Sequence, residues 1–322
     1  MLRLHGFAAQ RTGLLFTLLV LTGCGGGDAG GEAAAAGDSA TVGIRVADVG
    51  FMTPESVLMD TVADVYLVSN INGSPGAEDD NGFISRVTPD GAVENLQWID
   101  GASGTFTLNA PKGMAISGDT LFVADITCLR LFDRMSGEFL SERCVDGATF
   151  LNDVAVATDG SILVTDTGVR AGVAGLEPAG TDAIYRFARE ETGQPAALAK
   201  DTTLGGPNGI ATSAAGILVV TFGSGEVLRF TESGEKTVLL PASNRQYDGV
   251  IFLDEERYMF SAWGDSSVYM VGPTGSVQRA ITGVEAPADI GYDPRRNRVL
   301  IPLFMQNAVM IHALEAPATT GM

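Results

Sequence analysis

A motif that returns six times constrains this chain more than any other feature. Each copy opens on a polar residue, often beside Pro or Gly, runs into a short apolar strand, turns through polar residues, and continues as a second strand rich in β-branched and aromatic side chains. The openings are Pro54-Glu55-Ser56-Val57, Pro111-Lys112-Gly113-Met114, Leu151-Asn152-Asp153-Val154, Pro207-Asn208-Gly209-Ile210, Tyr247-Asp248-Gly249-Val250 and Ala288-Asp289-Ile290-Gly291. Their polar residues are spaced 57, 40, 56, 40 and 41 apart. A period near 40 with short strands and polar turns marks a propeller blade. No segment sustains a 3.6-residue apolar period, so helix content should be low. The fold expected is all-β, a six-bladed β-propeller. The sixth unit has only three strands before the chain ends, and residues Val42 to Val49 are expected to supply its outer strand. Closing the ring this way removes an open sheet edge.

Two spacings are long, and the surplus falls in the same place each time. Asn70 to Gly82 and Gly168 to Thr181 both follow the second strand of a unit. In an up-and-down blade that loop lies at the end where the first strand begins, so both insertions should overhang the face carrying the opening polar residues. Long loops on a rigid scaffold are where function concentrates. The alternative is a pair of tolerated surface insertions.

Upstream of the repeat the chain changes character. Arg3 and Arg11, a largely apolar stretch from Leu14 to Leu21, and Leu21-Thr22-Gly23-Cys24 follow the order of an export signal with a lipobox. The stretch is far short of the ~20 residues a spanning helix requires. Residues 1–23 therefore read as a lipoprotein signal peptide and Cys24 as the acylated new N-terminus. Ordinary cleavage nearby would instead leave an odd free thiol. Residues 24–41 are almost all Gly, Ala, Asp, Glu and Ser, a composition that cannot bury enough apolar surface to order itself and reads as a flexible tether. Residues 42–322 form the propeller. Gly25 rather than Asp after the cysteine favours the outer membrane, with the domain in the periplasm or at the cell surface. Losing Arg3 and Arg11 with the leader takes the formal net charge from −19 to −21. Such a surface repels phosphate backbones and anionic headgroups. Nucleic acid is excluded as a partner, contact with the membrane is through the lipid anchor alone, and a monomer acting on a small molecule is expected.

First strands line a propeller's channel, so Glu55, Lys112, Asn152, Asn208, Asp248 and Asp289 should converge at one mouth. Five of the six are oxygen donors. A mixed set of carboxylates and amides suits a hard divalent cation, Ca²⁺ above all, better than Zn²⁺. The histidines are His5 and His312, and no G-x-S-x-G elbow exists, so a histidine-based triad has little to build on. Lys112 either repels an ion, or neutralises Asp289 nearby and can hold a developing oxyanion. The alternative for the whole ring is a hydrated polar plug.

At these residues the chain resembles the gluconolactonase and senescence-marker-protein family, with a more distant likeness to diisopropyl fluorophosphatase. The resemblance covers about Phe51 to Leu314. It rests on Glu55 in the first strand, Asn152-Asp153, Asn208-Gly209 and Asp248-Gly249, in order and at blade spacing. It implies that Glu55, Asn208 and Asp248 ligate a divalent ion, that Asn152 is a ligand or substrate contact, and that Asp248 is also the general base. Two departures stand out. The family's Glu-Gly-Pro opening is Glu55-Ser56-Val57 here, and an arginine that contacts sugar lactones is replaced by Phe150. The function expected is hydrolysis of a lactone or related ester, the ion polarising the carbonyl and activating water. Its rival is a non-catalytic binding module whose metal, if any, is structural.

Cys128 and Cys144 lie equidistant from Ser136, beside the Gly137 turn, and so should face one another across adjacent strands. Export permits a disulfide; the alternative is two buried thiols packed as small apolar groups.

Overall fold

The computed structural model describes residues 43–173, 175–188 and 193–315. The leader, Cys24 and the tether lie outside the described residues.

Six four-stranded antiparallel sheets follow one another along the chain. Their innermost strands are Pro54–Asp60, Pro111–Ser117, Leu151–Val156, Pro207–Ser213, Tyr247–Phe252 and Gly291–Asp293. Each innermost strand packs against the next, and the sixth returns to the first, closing a ring. The seam is sealed by backbone: Asp289 N–H donates to the Glu55 carbonyl at 2.8 Å and Val57 N–H to the Asp289 carbonyl at 3.3 Å. The sixth blade comprises Gly291–Asp293, Arg298–Leu303 and Ala308–Ala313, and its outer strand is Gly43–Val46. Gly43 pairs with His312 and Val46 with Val309. The all-β six-bladed propeller expected from the repeat is thus the fold, closed by the N-terminal strand.

Burial explains why the second strands read as unbroken apolar runs. Val65–Asn70 is buried at every position, whereas the outermost strand Phe139–Cys144 is largely exposed. A strand sandwiched between two neighbouring blades has no solvent face to alternate toward. Six large apolar clusters among the described residues each join a pair of adjacent blades. In one, Val57, Tyr66 and Val68 of blade one meet Leu300, Val309 and Ile311 of blade six. Closure therefore has an apolar core of its own, as every other seam does.

Cys128 and Cys144 are directly opposed on the third and fourth strands of blade two and form a disulfide. Glu142 lies close to this pair. With both sulfurs consumed in the bond, that trio is not a metal site.

Candidate active site

The channel side chains are aimed inward by an irregularity repeated in five blades. The ladder between first and second strands slips after the first residue, between Pro54 and Ser56, Pro111 and Met114, Leu151 and Val154, Pro207 and Ile210, and Tyr247 and Val250. A bulge re-aims its side chain and leaves an N–H without a ladder partner. In three blades a hydroxyl from the second strand takes that N–H: Ser69 Oγ accepts from Ser56, Thr165 Oγ1 from Asp153 and Ser261 Oγ from Gly249. Two of these hydroxyls also reach the next blade, Thr165 donating to the Asn208 carbonyl at 2.6 Å and Ser261 to the Ala288 carbonyl at 2.8 Å.

This stitching corrects one register. Pro287 bridges Leu303 as Pro54 pairs with Asn70 and Pro111 with Asp125. The sixth opening is thus Pro287-Ala288-Asp289-Ile290, one residue earlier than read from the sequence. Blade six gives the ring the methyl of Ala288, and Asp289 drops to a second tier with Ser56, Gly113, Asp153, Gly209 and Gly249. The two tiers face different chambers. Glu55, Lys112, Asn152, Asn208 and Asp248 line a cavity of about 270 Å³, while Asp153, Asp289 and Ser56 line another of about 370 Å³. The six polar residues do not share one mouth.

In the first chamber four buried oxygens lack any hydrogen-bond partner: Glu55 Oε2, Asn152 Oδ1, Asn208 Oδ1 and Asp248 Oδ1. Asn152 Nδ2 donates to Thr167 Oγ1 at 2.9 Å, and Thr167 donates to the Pro207 carbonyl, which turns the Asn152 oxygen inward. Orphaned buried acceptors cost stability unless another group satisfies them. Burial pushes the Glu55 carboxyl well above the usual range, and the charges of Asp248 and Asp289 push it further while Lys112 opposes them. Burial, then Asp289, raises Asp248; the Trp263 indole N–H opposes this without completing a hydrogen bond of good geometry. In the lower tier, burial and then Asp289 raise Asp153, and burial raises Asp289 to about 7.

Lys112 is fully buried beneath an aromatic ring. Its Nζ donates to the Ala110 carbonyl at 2.9 Å and stands 4.3 Å from the centroid of Phe150. Burial lowers the amine to about 8, and the charges that oppose this are Asp125 and Glu55. Asp289 is not its counter-ion, because the sixth strand places that carboxylate in the other chamber.

Above this polar floor is a collar that sequence reasoning missed. The residue following each second strand rims the mouth: Ile71, Ile126, Thr167, Phe222, Trp263 and Phe304. All but Ile126 line the cavity. In five of the six blades the collar residue's backbone N–H donates to the residue ahead of the inner-strand opening, as in Trp263 to Gln246 at 3.1 Å and Phe304 to Ala286 at 3.2 Å. Phe222 and Trp263 meet edge to face at 5.3 Å, and Trp263 and Phe304 meet tilted at 5.0 Å. The signal was present as an apolar residue at one offset after the second strand in five of the six copies. Both insertions add apolar side chains, Pro75 from the first, Val169 and Leu176 from the second. The second insertion folds as a hairpin of Val169–Gly172 with Gly175–Pro178. The insertions touch where Gly76 abuts it: a Cβ there would lie 3.2 Å from Ala171 Cβ.

No protein-family model matches the chain, and no curated protein matches it in sequence. Solved structures do match in fold. The gluconolactonase of Xanthomonas campestris superposes with a TM-score of 0.65 at 17% identity, covering 85% of this chain and 89% of that one. A streptogramin B lyase gives 0.59 at 12% identity over 85% and 98%. A catalytically inactive virginiamycin B lyase of Staphylococcus aureus, solved with quinupristin, gives 0.55 at 15% identity over 81% and 95%. At such identities the likeness establishes the shared propeller.

Proposed function

We propose that this chain is a divalent-metal-dependent hydrolase of a lactone or related ester, exported and held at a membrane by lipid on Cys24. One observation carries the reading. Four buried oxygens from four blades, on Glu55, Asn152, Asn208 and Asp248, enter one cavity with no protein partner. Two carboxylates and two amides make an all-oxygen set of modest charge, and that chemistry fits Ca²⁺. When bound, such an ion supplies Lewis-acid polarisation of a carbonyl and acidifies water.

The chain's own residues do the rest. Asp248 is the general base, because its unpartnered carboxylate oxygen enters the same cavity in which an ion would hold water. Lys112 is tethered by the Ala110 carbonyl and roofed by Phe150, so its charge is fixed in the floor and can stabilise a developing oxyanion. The collar and both insertions exclude water from the mouth. The solved gluconolactonase supports hydrolysis by analogy of scaffold. The lyase is the less apt analogue, since a histidine-to-alanine change accompanies its inactivity. The only histidine among the described residues, His312, lies on blade six outside the cavity.

Anchoring rests on Leu21-Thr22-Gly23-Cys24, with 1–23 as signal, 24–41 as tether and 42–322 as the propeller domain. Among the described residues no helix is long and apolar enough to cross a membrane. The experiment is turnover of a lactone and aryl-ester panel with Ca²⁺ and with chelator. Metal-dependent hydrolysis that Asp248→Asn abolishes supports the proposal; no turnover of any member refutes it.

A further inference from the structure

The floor of the cavity speaks to chemistry, and its rim speaks to the ligand. Phe222, Trp263 and Phe304 form a continuous aromatic arc, and Ile71, Val169 and Leu176 extend the apolar wall. Phe150, the remaining ring at the floor, already covers Lys112. A polyhydroxylated ring entering here would strip water from most of its hydroxyls against phenyl and aliphatic side chains, with the Trp263 indole the arc's one donor, which costs binding. A flat apolar ring would instead gain both burial and edge-to-face contacts. One buried donor of the cavity is also without a hydrogen bond, the Trp263 indole N–H, and it approaches Asp248 at the polar floor. A ligand with one apolar ring and one carbonyl satisfies both features at once, the ring in the arc and the oxygen toward the indole.

Resting on the hydrolase reading, we infer that the substrates are neutral esters or lactones bearing an aromatic or similarly flat apolar group, selected by Phe222, Trp263 and Phe304, and not sugar lactones. Removing one phenyl ring from such an arc costs about tenfold or more in kcat/KM for the ligand that used it.

The test compares hydrolysis of 2-coumaranone, a benzo-fused lactone, with that of D-glucono-1,5-lactone by the purified full chain. Phe222→Ser and Phe304→Ser proteins run beside it. The chain has two tryptophans, so Trp98→Phe isolates Trp263 emission, and 2-indanone serves as the carbon isostere that cannot be hydrolysed. The expected result is at least ~100-fold preference for the benzo-fused lactone, eroded about tenfold by each serine variant. Preference for the sugar lactone overturns the inference while leaving the hydrolase reading intact. If neither lactone is turned over, saturable quenching of Trp263 by 2-indanone, weakened in the serine variants, supports the ligand class and sinks the hydrolase reading. Absence of both turnover and quenching overturns the two together.

Discussion

The carboxylate of Asp153 occupies the space that a side chain at Gly113 would fill: a Cβ built on Gly113 would stand 2.1 Å from Asp153 Oδ1 and 2.6 Å from its Cα. Gly249 bears the same relation to Asp289, with 2.6 Å to the Cα. Glycine in the second tier of one blade thus admits the aspartate of the next.

Gly113→Ala cannot be relieved by rotating Asp153, because the closest contacts include backbone. Asp153 is also fixed, accepting from Val154 N–H and Ile210 N–H at 2.7 Å each. Overpacking at such a site should cost about 2–3 kcal/mol. Urea denaturation of the variant should show a lowered midpoint with unchanged slope; an unchanged midpoint would mean that the inner strands can spread.

The disulfide should contribute about 3 kcal/mol by restricting the unfolded chain across a separation of 16 residues. Paired Cys128→Ser and Cys144→Ser changes should lower the thermal midpoint by that measure. Thiol titration of denatured, unreduced protein should find neither cysteine reactive, and two reactive thiols from this pair would exclude the bond.

Much of this architecture was legible before any coordinates. The period near 40, the two long insertions and the missing outer strand of the sixth unit each follow from local pattern, because a blade is a local hairpin assembly. Asp289 was harder. Its tier depends on a bridge between Pro287 and Leu303 and on a hydroxyl from Ser261 across a blade seam, and a polar residue one position away matched the motif nearly as well. The collar escaped for a different reason. Phe222, Trp263 and Phe304 read as ordinary strand-end hydrophobics, and only ring closure brings three blades' worth of them together.

Asp289, with Glu55, Asp153 and Asp248, should make the stability of the metal-free protein fall as pH rises. The folded pKa of Asp289, about 7, lies above the ordinary 3.8. Below pH 3.8 the proton is held in both states and the contribution is fully present. Between 3.8 and about 7 the unfolded chain ionises first, so stability declines through that window. In chelator, the thermal midpoint should drop by about 5 °C from pH 5 to pH 8. Asp289→Asn should lessen that drop, leaving the share carried by Glu55, Asp153 and Asp248; a variant with the wild-type slope would assign none of it to Asp289.

If the proposed lipid anchor exists, Cys24→Ser should move the protein from the membrane pellet to the soluble fraction with its melting curve unchanged, since Cys24 precedes the propeller strands in the sequence. Fractionation decides this: a pelleted variant would contradict lipid attachment at Cys24.

The most direct test is the thermal midpoint of the wild type with and without Ca²⁺, alongside Asp248→Asn. An ion bound only by the folded state adds about 2.7 kcal/mol at a hundredfold excess over its Kd, which is about 5–10 °C for a domain of this size. The rise should appear in the wild type and largely vanish in the variant, which removes one of two ligand charges. If neither Ca²⁺ nor any other divalent ion moves the wild-type curve, Glu55, Asn152, Asn208 and Asp248 form a hydrated plug, and the metal-dependent hydrolase is contradicted.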